Sequence, residues 1–282
     1  MLNRLITKLP SRPLGHLLGH GLYLCDRAAR RTVRRNLAFA FPDLSPAAVR
    51  ARSRRVFGNY GITLVEILQL GFMTPADVEG RIRLYGIKHF RDAYVQHRGV
   101  IAVSAHLGNW ELGVQAMPCM FDGKVTAVAK RFKNNRFERW LHYIRTRFGN
   151  SILYKKGSLA DMTAILRGGG VLAVLMDMAR RKDGVDITFF GKKATATPAV
   201  AMLALRCRCP VVPVFCVREP DGVIGIHGHP PIEMRRSRDL RADLVENTQR
   251  ITDVIERVVR EHPEQWHWLM RRWKEHYPHL YE

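Results

Sequence analysis

The chain has 282 residues, 46% of them hydrophobic, which is enough for one large domain with a substantial core. It carries 46 lysines and arginines against 25 aspartates and glutamates, a formal net charge of +21. This excess favours anionic partners: nucleic acid, an anionic membrane surface or an acidic carrier protein. No stretch approaches the roughly 18 to 20 apolar residues that a spanning helix requires, so we expect no transmembrane segment.

The first predicted helix covers residues 13–25, PLGHLLGHGLYLC. It is too short to span a membrane and lacks the small-residue cleavage site of a signal peptide. Basic residues flank it on both sides: Arg4, Lys8 and Arg12 before it, and Arg27, Arg30, Arg31, Arg34 and Arg35 after it. This pattern is typical of an interfacial helix lying on anionic lipid; the alternative is an ordinary packed helix with a solvated basic flank.

A second helix is predicted from Ser45 to Leu70, after a turn at Pro42 and Asp43. Beyond about residue 82, short apolar runs at 99–105, 124–130, 171–176, 210–217 and 222–228 alternate with helical stretches near 109–120, 134–149, 158–167 and 197–206. A long helix follows at 240–261. The alternation predicts an α/β fold, a mixed and largely parallel central sheet flanked by helices. We interpret residues 1–80 as a helical, membrane-associating extension of one unit, and residues 81–282 as its α/β domain.

Two apolar strands end in ionisable residues, GVIAVSA in His106 and GVLAVLM in Asp177. In α/β sheets, ligands bind outside the carboxyl ends of the strands. Glu111 falls in the first turn of the following helix, from which its carboxylate could reach back to the imidazole. Glu111 would then fix the tautomer of His106 and leave the other ring nitrogen as a general base. The alternative is a histidine satisfied in the core and a glutamate at a helix N-terminus.

Nucleophile and metal motifs are weak. Neither Gly-x-Ser-x-Gly nor HExxH occurs, so the base would activate a hydroxyl of the substrate for direct transfer. Cys207 and Cys209 with His227 and His229 could be drawn as a metal site, but Cys-x-Cys is a poor ligand spacing. We therefore expect neither a metal nor another cofactor. The five cysteines form no regular framework, so we expect them to stay reduced on the cytosolic side.

The sequence resembles the late acyltransferases of bacterial lipid A biosynthesis, within the wider group that acylates lysolipids and glycerol phosphate. The resemblance covers most of the chain, in blocks that keep their order: RRNLAFAFPDLS, HLGNWE, KRFKNNRFERWLHYIRTRFGNS, LRGGGVLAVLMD, ITFFGKKATATPAVAMLAL, PVVPV and PEQWHWLMRRWK. HLGNWE, residues 106–111, corresponds to the family's HX4E motif. The resemblance implies a glycerol-phosphate acyltransferase-like fold.

The resemblance also implies roles for individual residues. His106 would be the catalytic base and Glu111 its partner. Arg145 and Asp177 would also be needed at the site, with the choice between Arg145 and Arg147 left open. Both arginines suit a phosphorylated sugar lipid, because a guanidinium binds phosphate in bidentate fashion. Asn109 and Trp110 would shape the pocket, or else serve only as turn residue and core aromatic.

The implied reaction moves a fatty acyl chain from an acyl carrier protein thioester to a hydroxyl of a lipid A precursor or similar glycolipid. It would take place at the cytoplasmic face of the inner membrane. Met178 and Pro198 depart from the family's usual residues, and this leaves the acceptor open. Alternative acceptors are a lysophospholipid, a phosphatidylinositol mannoside or an amino-acid lipid, with acyl-CoA as an alternative donor. A non-catalytic basic module that binds membrane or nucleic acid is the rival outside enzymes, although no nucleic-acid motif is present.

Three further stretches have alternative interpretations. FFG at 189–191 and ATATPAVA at 194–201 would border an acyl groove, or else form ordinary strand-turn-helix packing. Trp266, Trp268 and Trp273 lie beside basic residues, which suits a lipid headgroup layer. The alternative, that these rings pack on the domain, is favoured for Trp266 and Trp273.

Overall fold

The fold is described from a computed structural model of the chain, covering residues 6–7, 9–121, 123, 125–154, 159–180 and 182–282, without the side chains of 119 and 120. Arg4 and Lys8 of the predicted basic flank, and one end residue of two predicted elements, Lys124 and Ser158, lie outside the described residues.

Three helices open the fold: α1 (Ser11–Cys25), α2 (Arg27–Ala40) and α3 (Pro46–Leu70). Ser45 begins α3 by accepting a hydrogen bond from the backbone N–H of Ala48 at 3.2 Å. Helix α1 lies against α3 at a glycine seam, because a Cβ at Gly19 would overlap the carbonyl oxygen of Phe57, and one at Gly61 would overlap that of Gly15. The seam brings the two backbones together and leaves Leu14, Leu17, Leu18 and Leu24 of α1 exposed.

The central sheet has seven strands. In chain order these and their intervening helices are α4 (Pro75–Glu79), β1 (Ile82–Tyr85), α5 (Lys88–Tyr94), β2 (Val100–Ser104), α6 (Trp110–Met120), β3 (Val125–Ala129), α7 (Asn135–Thr146), β4 (Ser151–Tyr154), α8 (Leu159–Arg167) and β5 (Val171–Leu175). A hairpin of β6 (Val185–Phe189) and β7 (Lys192–Ala196) follows, then α9 (Ala199–Cys207), β8 (Val211–Arg218), β9 (Ile224–Gly228), α10 (Leu240–Glu261) and a 3-10 helix (Pro278–Tyr281). The spatial order is β1-β9-β8-β2-β5-β3-β4, with every pair parallel except β8 and β9.

Alternate residues of the strands feed two hydrophobic cores, one on each face of the sheet. Ile101 and Val103 of β2 belong to the core on one face, with α10 and the C-terminal segment. Val100 and Ala102 belong to the core on the other face, under α5 and α6. A sheet covered on both faces is the environment that the unbroken apolar strands require.

The three C-terminal tryptophans are core residues. Trp266, Trp268 and Trp273 are each at most 1% exposed. Phe189 and Phe190, at the tip of the β6–β7 hairpin, make edge-to-face or tilted contacts with these rings. The packing interpretation therefore holds for all three tryptophans and for FFG, and the headgroup interpretation of Trp268 is wrong.

The predicted α/β fold is confirmed: the chain forms a single unit around a mixed, mostly parallel sheet with helices on both faces. Each predicted helix and strand corresponds to one in the structure. The sequence analysis did not predict α2, α4, α5, β1, β4 or the β6–β7 hairpin, all of which are short or polar. None of the described helices is both long and apolar enough to cross a membrane.

The glycine seam predicts opposite effects of two substitutions in α1. Gly19→Ala places a methyl group against the backbone of Phe57, and overpacking of this kind costs typically about 1–3 kcal/mol. At Gly21 the added methyl meets nothing within 4 Å, so Gly21→Ala gains helix propensity of about 1 kcal/mol. Denaturant unfolding of both variants checks this. Equal stabilities would contradict the seam.

Candidate active site

The register of two central strands brings His106 and Asp177 together. Strand β2 pairs with β5 in parallel, and Ser104 lies opposite Leu175. Each strand continues for two more residues, to His106 and to Asp177. In the sheet, β3 lies next to β5 and β8 lies next to β2. The chain runs from β2 to β3 and from β5 to β8, so the two connections leave the central pair in opposite directions. The two residues therefore lie at the point where the strand connections diverge, which is where α/β sheets bind ligands.

Asp177 holds His106 by two hydrogen bonds. The Nδ1 atom of His106 lies 2.8 Å from Oδ1 of Asp177, and the backbone N–H of His106 donates to Oδ2 at 2.8 Å. The indole N–H of Trp266 also donates to Oδ2, at 2.8 Å. The aspartate side chain is fully buried, while that of His106 remains 20% exposed. The pair thus has a buried carboxylate and an imidazole that reaches the surface.

The charge state of Asp177 fixes the tautomer of His106. Burial alone would raise the pKa of Asp177, but the charge of His106 and the hydrogen bonds from His106 and Trp266 hold that pKa at about 2. An ionised carboxylate only accepts hydrogen bonds, so Nδ1 of His106 must carry the proton. Nε2, on the opposite side of the ring from Asp177, is then the basic nitrogen of the neutral imidazole.

Two aromatic rings surround the His106 imidazole. Trp110 makes an edge-to-face contact with it at 5.0 Å between ring centroids. The ring centroid of His267 lies 6.1 Å from that of His106 and 6.1 Å from that of Trp110. The backbone N–H of His267 donates to the carbonyl of His106 at 2.9 Å. Burial, with the neighbouring His106, lowers the pKa of His267 to about 4, so His267 is neutral at pH 7. The site therefore has one histidine held by a carboxylate and a second that stays uncharged.

Glu111 binds Arg145. The Nε of Arg145 donates to Oε2 of Glu111 at 2.9 Å, and its Nη2 donates to Oε1. Burial alone would lower the pKa of Arg145, but Glu111 outweighs this and raises it. The acid at Nδ1 of His106 is thus Asp177, where the sequence analysis expected Glu111. The reason is that a guanidinium from α7 engages both carboxylate oxygens of Glu111.

Arg147 and Asn109 lie on a different side of α6. Arg147 donates to the carbonyl of Leu70 at 2.8 Å. Both residues border an open cleft of about 1160 Å³ between the N-terminal segment, the end of α3 and the β8–β9 turn. Asn109 is fully buried and begins α6 by accepting from the backbone N–H of Leu112 at 3.0 Å. The structure therefore brings Arg145, and not Arg147, to Glu111.

An apolar cavity of about 80 Å³ lies between α6 and the sheet. Its floor is a row of alanines at one level of three neighbouring strands, Ala102, Ala173 and Ala127. Polar groups occur at one end, where Ser104, Trp110, Glu111 and Arg145 border it. The volume corresponds to about three water molecules, so a longer guest must displace lining side chains.

Residues 2–275 match the family of bacterial lipid A biosynthesis acyltransferases. The chain belongs to this family. It is 29% identical over 278 residues to the lipid A biosynthesis lauroyltransferase of Escherichia coli, covering 96% of this chain and 88% of that enzyme. The lipid A biosynthesis myristoyltransferase of the same organism is 24% identical, over 94% and 81% of the two chains. The phosphatidylinositol mannoside acyltransferase of Mycobacterium tuberculosis is 23% identical, over 89% and 79%.

Membership of this acyltransferase family confirms the predicted class of enzyme, an O-acyltransferase, and the resemblance on which the prediction rested. The geometry places His106, Asp177 and Trp110 in one cluster and Glu111 with Arg145 in a second, with Trp110 and Glu111 adjacent in the chain.

Sequence reasoning missed two groups of this candidate site. Trp266 and His267 lie in the PEQWHW block, about 160 residues after His106, and no local spacing indicates that they meet it. The alanine floor was missed because Ala102, Ala127 and Ala173 become neighbours only through the strand order. Alanine is also common in ordinary strand cores, so the residue type alone does not indicate a cavity.

The cysteine–histidine metal site considered from the sequence finds no support. Within the described ranges, no three His, Cys, Asp or Glu residues are placed to hold a metal ion. His227 stacks on Tyr85 at 4.7 Å, and His229 packs edge-to-face on Phe215 at 5.6 Å. Burial and the nearby Cys207 raise the pKa of Cys209 to about 12, so its thiol stays protonated.

Proposed function

We propose that this acyltransferase moves a fatty acyl chain from an acyl carrier protein thioester to a hydroxyl of a lipid A precursor or similar glycolipid. The observation that carries the proposal is the His106–Asp177 pair at the sheet edge, beside an apolar cavity bordered by Glu111 and Arg145. A base, an adjacent apolar volume and a cationic group are the parts that this transfer requires.

His106 acts as the general base in this proposal. Its Nε2 accepts the proton of the acceptor hydroxyl while the oxygen attacks the thioester carbonyl carbon. The tetrahedral oxyanion then collapses, the carbon–sulfur bond breaks, and the thiolate leaves with the proton returned by the imidazolium. Asp177 stabilises the imidazolium between these steps through its charge and its hydrogen bond to Nδ1. No protein nucleophile is needed.

Glu111 holds Arg145 charged at the cavity border. Glu111 stabilises the mostly buried guanidinium of Arg145 through two hydrogen bonds. The fixed positive charge of Arg145 suits the developing oxyanion or a phosphate of the acceptor. Glu111 and Arg145 therefore both remain predicted site residues, with Glu111 acting through Arg145.

The charge distribution supports an acidic donor. A segment that directly follows Ala129, a residue lining the cavity, exposes five basic side chains, Lys130, Arg131, Lys133, Arg136 and Arg139. An acidic carrier protein docked on this segment would present its thioester at the same edge of the sheet.

The exposed face of α1 supports association with the inner membrane at its cytoplasmic surface. Leu14, Leu17, Leu18 and Leu24 are 38–72% exposed on the side opposite the glycine seam. Arg27 and Arg31 follow at the surface. An exposed apolar helix face followed by cationic side chains, here at the start of α2, is the composition of an interfacial anchor.

A second acceptor class is favoured by one observation, the similarity to a phosphatidylinositol mannoside acyltransferase over 89% of the chain. The same His106 chemistry would serve that acceptor. Purified protein given lipid A precursor and phosphatidylinositol mannoside in parallel decides between them by mass spectrometry of the products. The assay is run with acyl carrier protein and coenzyme A thioesters, which also identifies the donor.

We expect His106→Ala to lower the rate of acyl transfer by about 10²- to 10⁴-fold, because a positioned base contributes on this scale. Asp177→Asn should lower it by about 10²-fold or more, because the neutral amide cannot stabilise the imidazolium. His279→Ala is the control, since that ring is exposed on the C-terminal 3-10 helix. The measurement is product formation from radiolabelled acyl carrier protein thioester. Full transfer by folded His106→Ala protein would refute the base assignment.

Ala173→Leu should shorten the acyl chain that is transferred. Ala173 lies at the centre of the alanine floor, so a leucine there occupies space needed by the chain end. Losing the burial of two or three CH₂ groups at about 0.8 kcal/mol each lowers kcat/KM for the longest accepted donor roughly 10- to 50-fold. Ala164→Leu, on the exposed side of α8, is the matched control. Competition between donors of graded length gives the ratio, and an unchanged preference would exclude the cavity as the acyl site.

Leu17→Asp should weaken binding to anionic vesicles at least tenfold, because the 72% exposed Leu17 is central to the apolar face of α1. Leu240→Asp is the control, because Leu240 at the start of α10 is also well exposed, at 59%. This variant should bind vesicles like the wild type. Vesicle sedimentation with phosphatidylglycerol-containing liposomes makes the comparison. Equal weakening by both variants would count against α1 as the anchor.

A further inference from the structure

A buried polar cluster lies behind the turn that carries the proposed base. It consists of Thr63 and Glu66 on α3, Asn109 at the start of α6 and Arg218 at the end of β8, and we call it the Glu66 cluster. The side chains of Arg218 and Glu66 are 3% and 7% exposed, and Asn109 is fully buried. The side-chain hydrogen bonds of the cluster join α3, the start of α6 and the end of β8.

Glu66 joins Arg218 to the turn. Arg218 donates to the two carboxylate oxygens of Glu66, from Nη2 at 2.5 Å and from Nε at 3.1 Å. The side-chain amide of Asn109 donates to Oε2 of the same carboxylate at 2.9 Å. Asn109 then uses its other side-chain atom, Oδ1, to begin α6. A single carboxylate therefore fixes the residue from which Trp110 and Glu111 extend.

Thr63 and Gln265 hold the preceding residue of the turn. The hydroxyl of Thr63 donates to the carbonyl of Gly108 at 2.9 Å and accepts from Nη2 of Arg218 at 3.0 Å. From the other side, the N–H of Gly108 donates to the carbonyl of Gln265 at 3.0 Å. The side chain of Gln265 in turn exchanges two hydrogen bonds with the backbone of Arg218, at 2.7 and 2.8 Å.

Only glycine fits at position 108, between these partners. Its φ is +56°, and a Cβ there would overlap the carbonyl oxygen of Cys216. The turn thus follows one path, against β8 on one side and α3 on the other. Displacing Asn109 would move Trp110 against the imidazole and shift Glu111, which holds Arg145 at the cavity.

A buried ion pair adds little net stability compared with apolar side chains of the same volume, but its hydrogen bonds are directional. We propose that Glu66 and Arg218 are positioning residues of the acyltransferase, which act through Asn109 to set the geometry of His106, Trp110 and Glu111. This inference rests on the proposed function, because the turn is assigned there to catalysis. It adds helix α3, outside the α/β domain predicted from the sequence, to the machinery that orients the site.

The test exchanges the carboxylate between two positions. Glu66→Gln leaves Arg218 without its counter-charge, and Asn109→Asp sets two carboxylates against each other. The double variant Glu66→Gln/Asn109→Asp restores one carboxylate and one amide beside Arg218 in reversed places. Glu264→Gln is the control, because it breaks another ion pair of α3, the partly exposed pair with Arg55.

We expect Glu66→Gln to lower kcat by about 10- to 100-fold with little change in KM, since displacement of about 1 Å costs on this scale. The double variant should recover at least a tenfold part of that loss. Hydrogen–deuterium exchange should rise at residues 106–112 in Glu66→Gln and remain unchanged in β3 and β5. Glu264→Gln should match the wild type in all three measurements.

Two results would overturn the proposal. One is a folded Glu66→Gln protein with wild-type kcat and unchanged exchange at 106–112. The other is faster exchange throughout the domain without recovery in the double variant, the pattern of a purely structural pair. If Glu66→Gln does not fold, Thr63→Val replaces it, because this variant removes the hydrogen bond to the carbonyl of Gly108. The same two readouts, kcat and exchange at 106–112, then decide. A wild type that transfers no acyl group would refute the proposed function, while the exchange measurement would still test the positioning of the turn.

Discussion

The architecture of this site depends on the parallel register between β2 and β5. Because Ser104 lies opposite Leu175, the two residues that follow each strand by the same distance, His106 and Asp177, meet at the sheet edge. A shift of one residue would turn one of the two side chains to the other face. The imidazole–carboxylate pair is therefore a property of the sheet, while Trp110, Arg145 and Trp266 come from α6, α7 and the C-terminal segment.

The groups of the site are divided between the two faces of the sheet. Asp177 is anchored on the side of the sheet that contains the tryptophans, where the indole of Trp266 completes its hydrogen bonds. Glu111, Arg145 and the cavity lie on the side of α6. The histidine stands at the edge between these two sides. Its acid partner is thus held by a buried aromatic core, while the space proposed for the acyl chain lies under α6.

The sequence predicted the local features of this site and not the contacts between distant segments. Apolar strands that end in His106 and Asp177 are visible in the sequence because strand length and burial are local properties. Their adjacency depends on strand order, which the sequence pattern leaves open. The pairing of Glu111 was misjudged for the same reason: a spacing of five residues suggested His106, whereas Arg145 approaches from another helix. The β6–β7 hairpin was missed because its charged residues mask the two phenylalanines at its tip.

The alanine floor has a consequence for how such enzymes can diversify. Ala102, Ala173 and Ala127 are set by main-chain pairing across three strands, and neighbouring strands lie at a fixed spacing of about 4.8 Å. Groups that would recognise an alcohol, in contrast, come from loops and helix ends at the rim. Mutation can therefore alter the rim without disturbing the floor. Under the proposed function, acceptor choice and selection of acyl chain length can then evolve as independent traits.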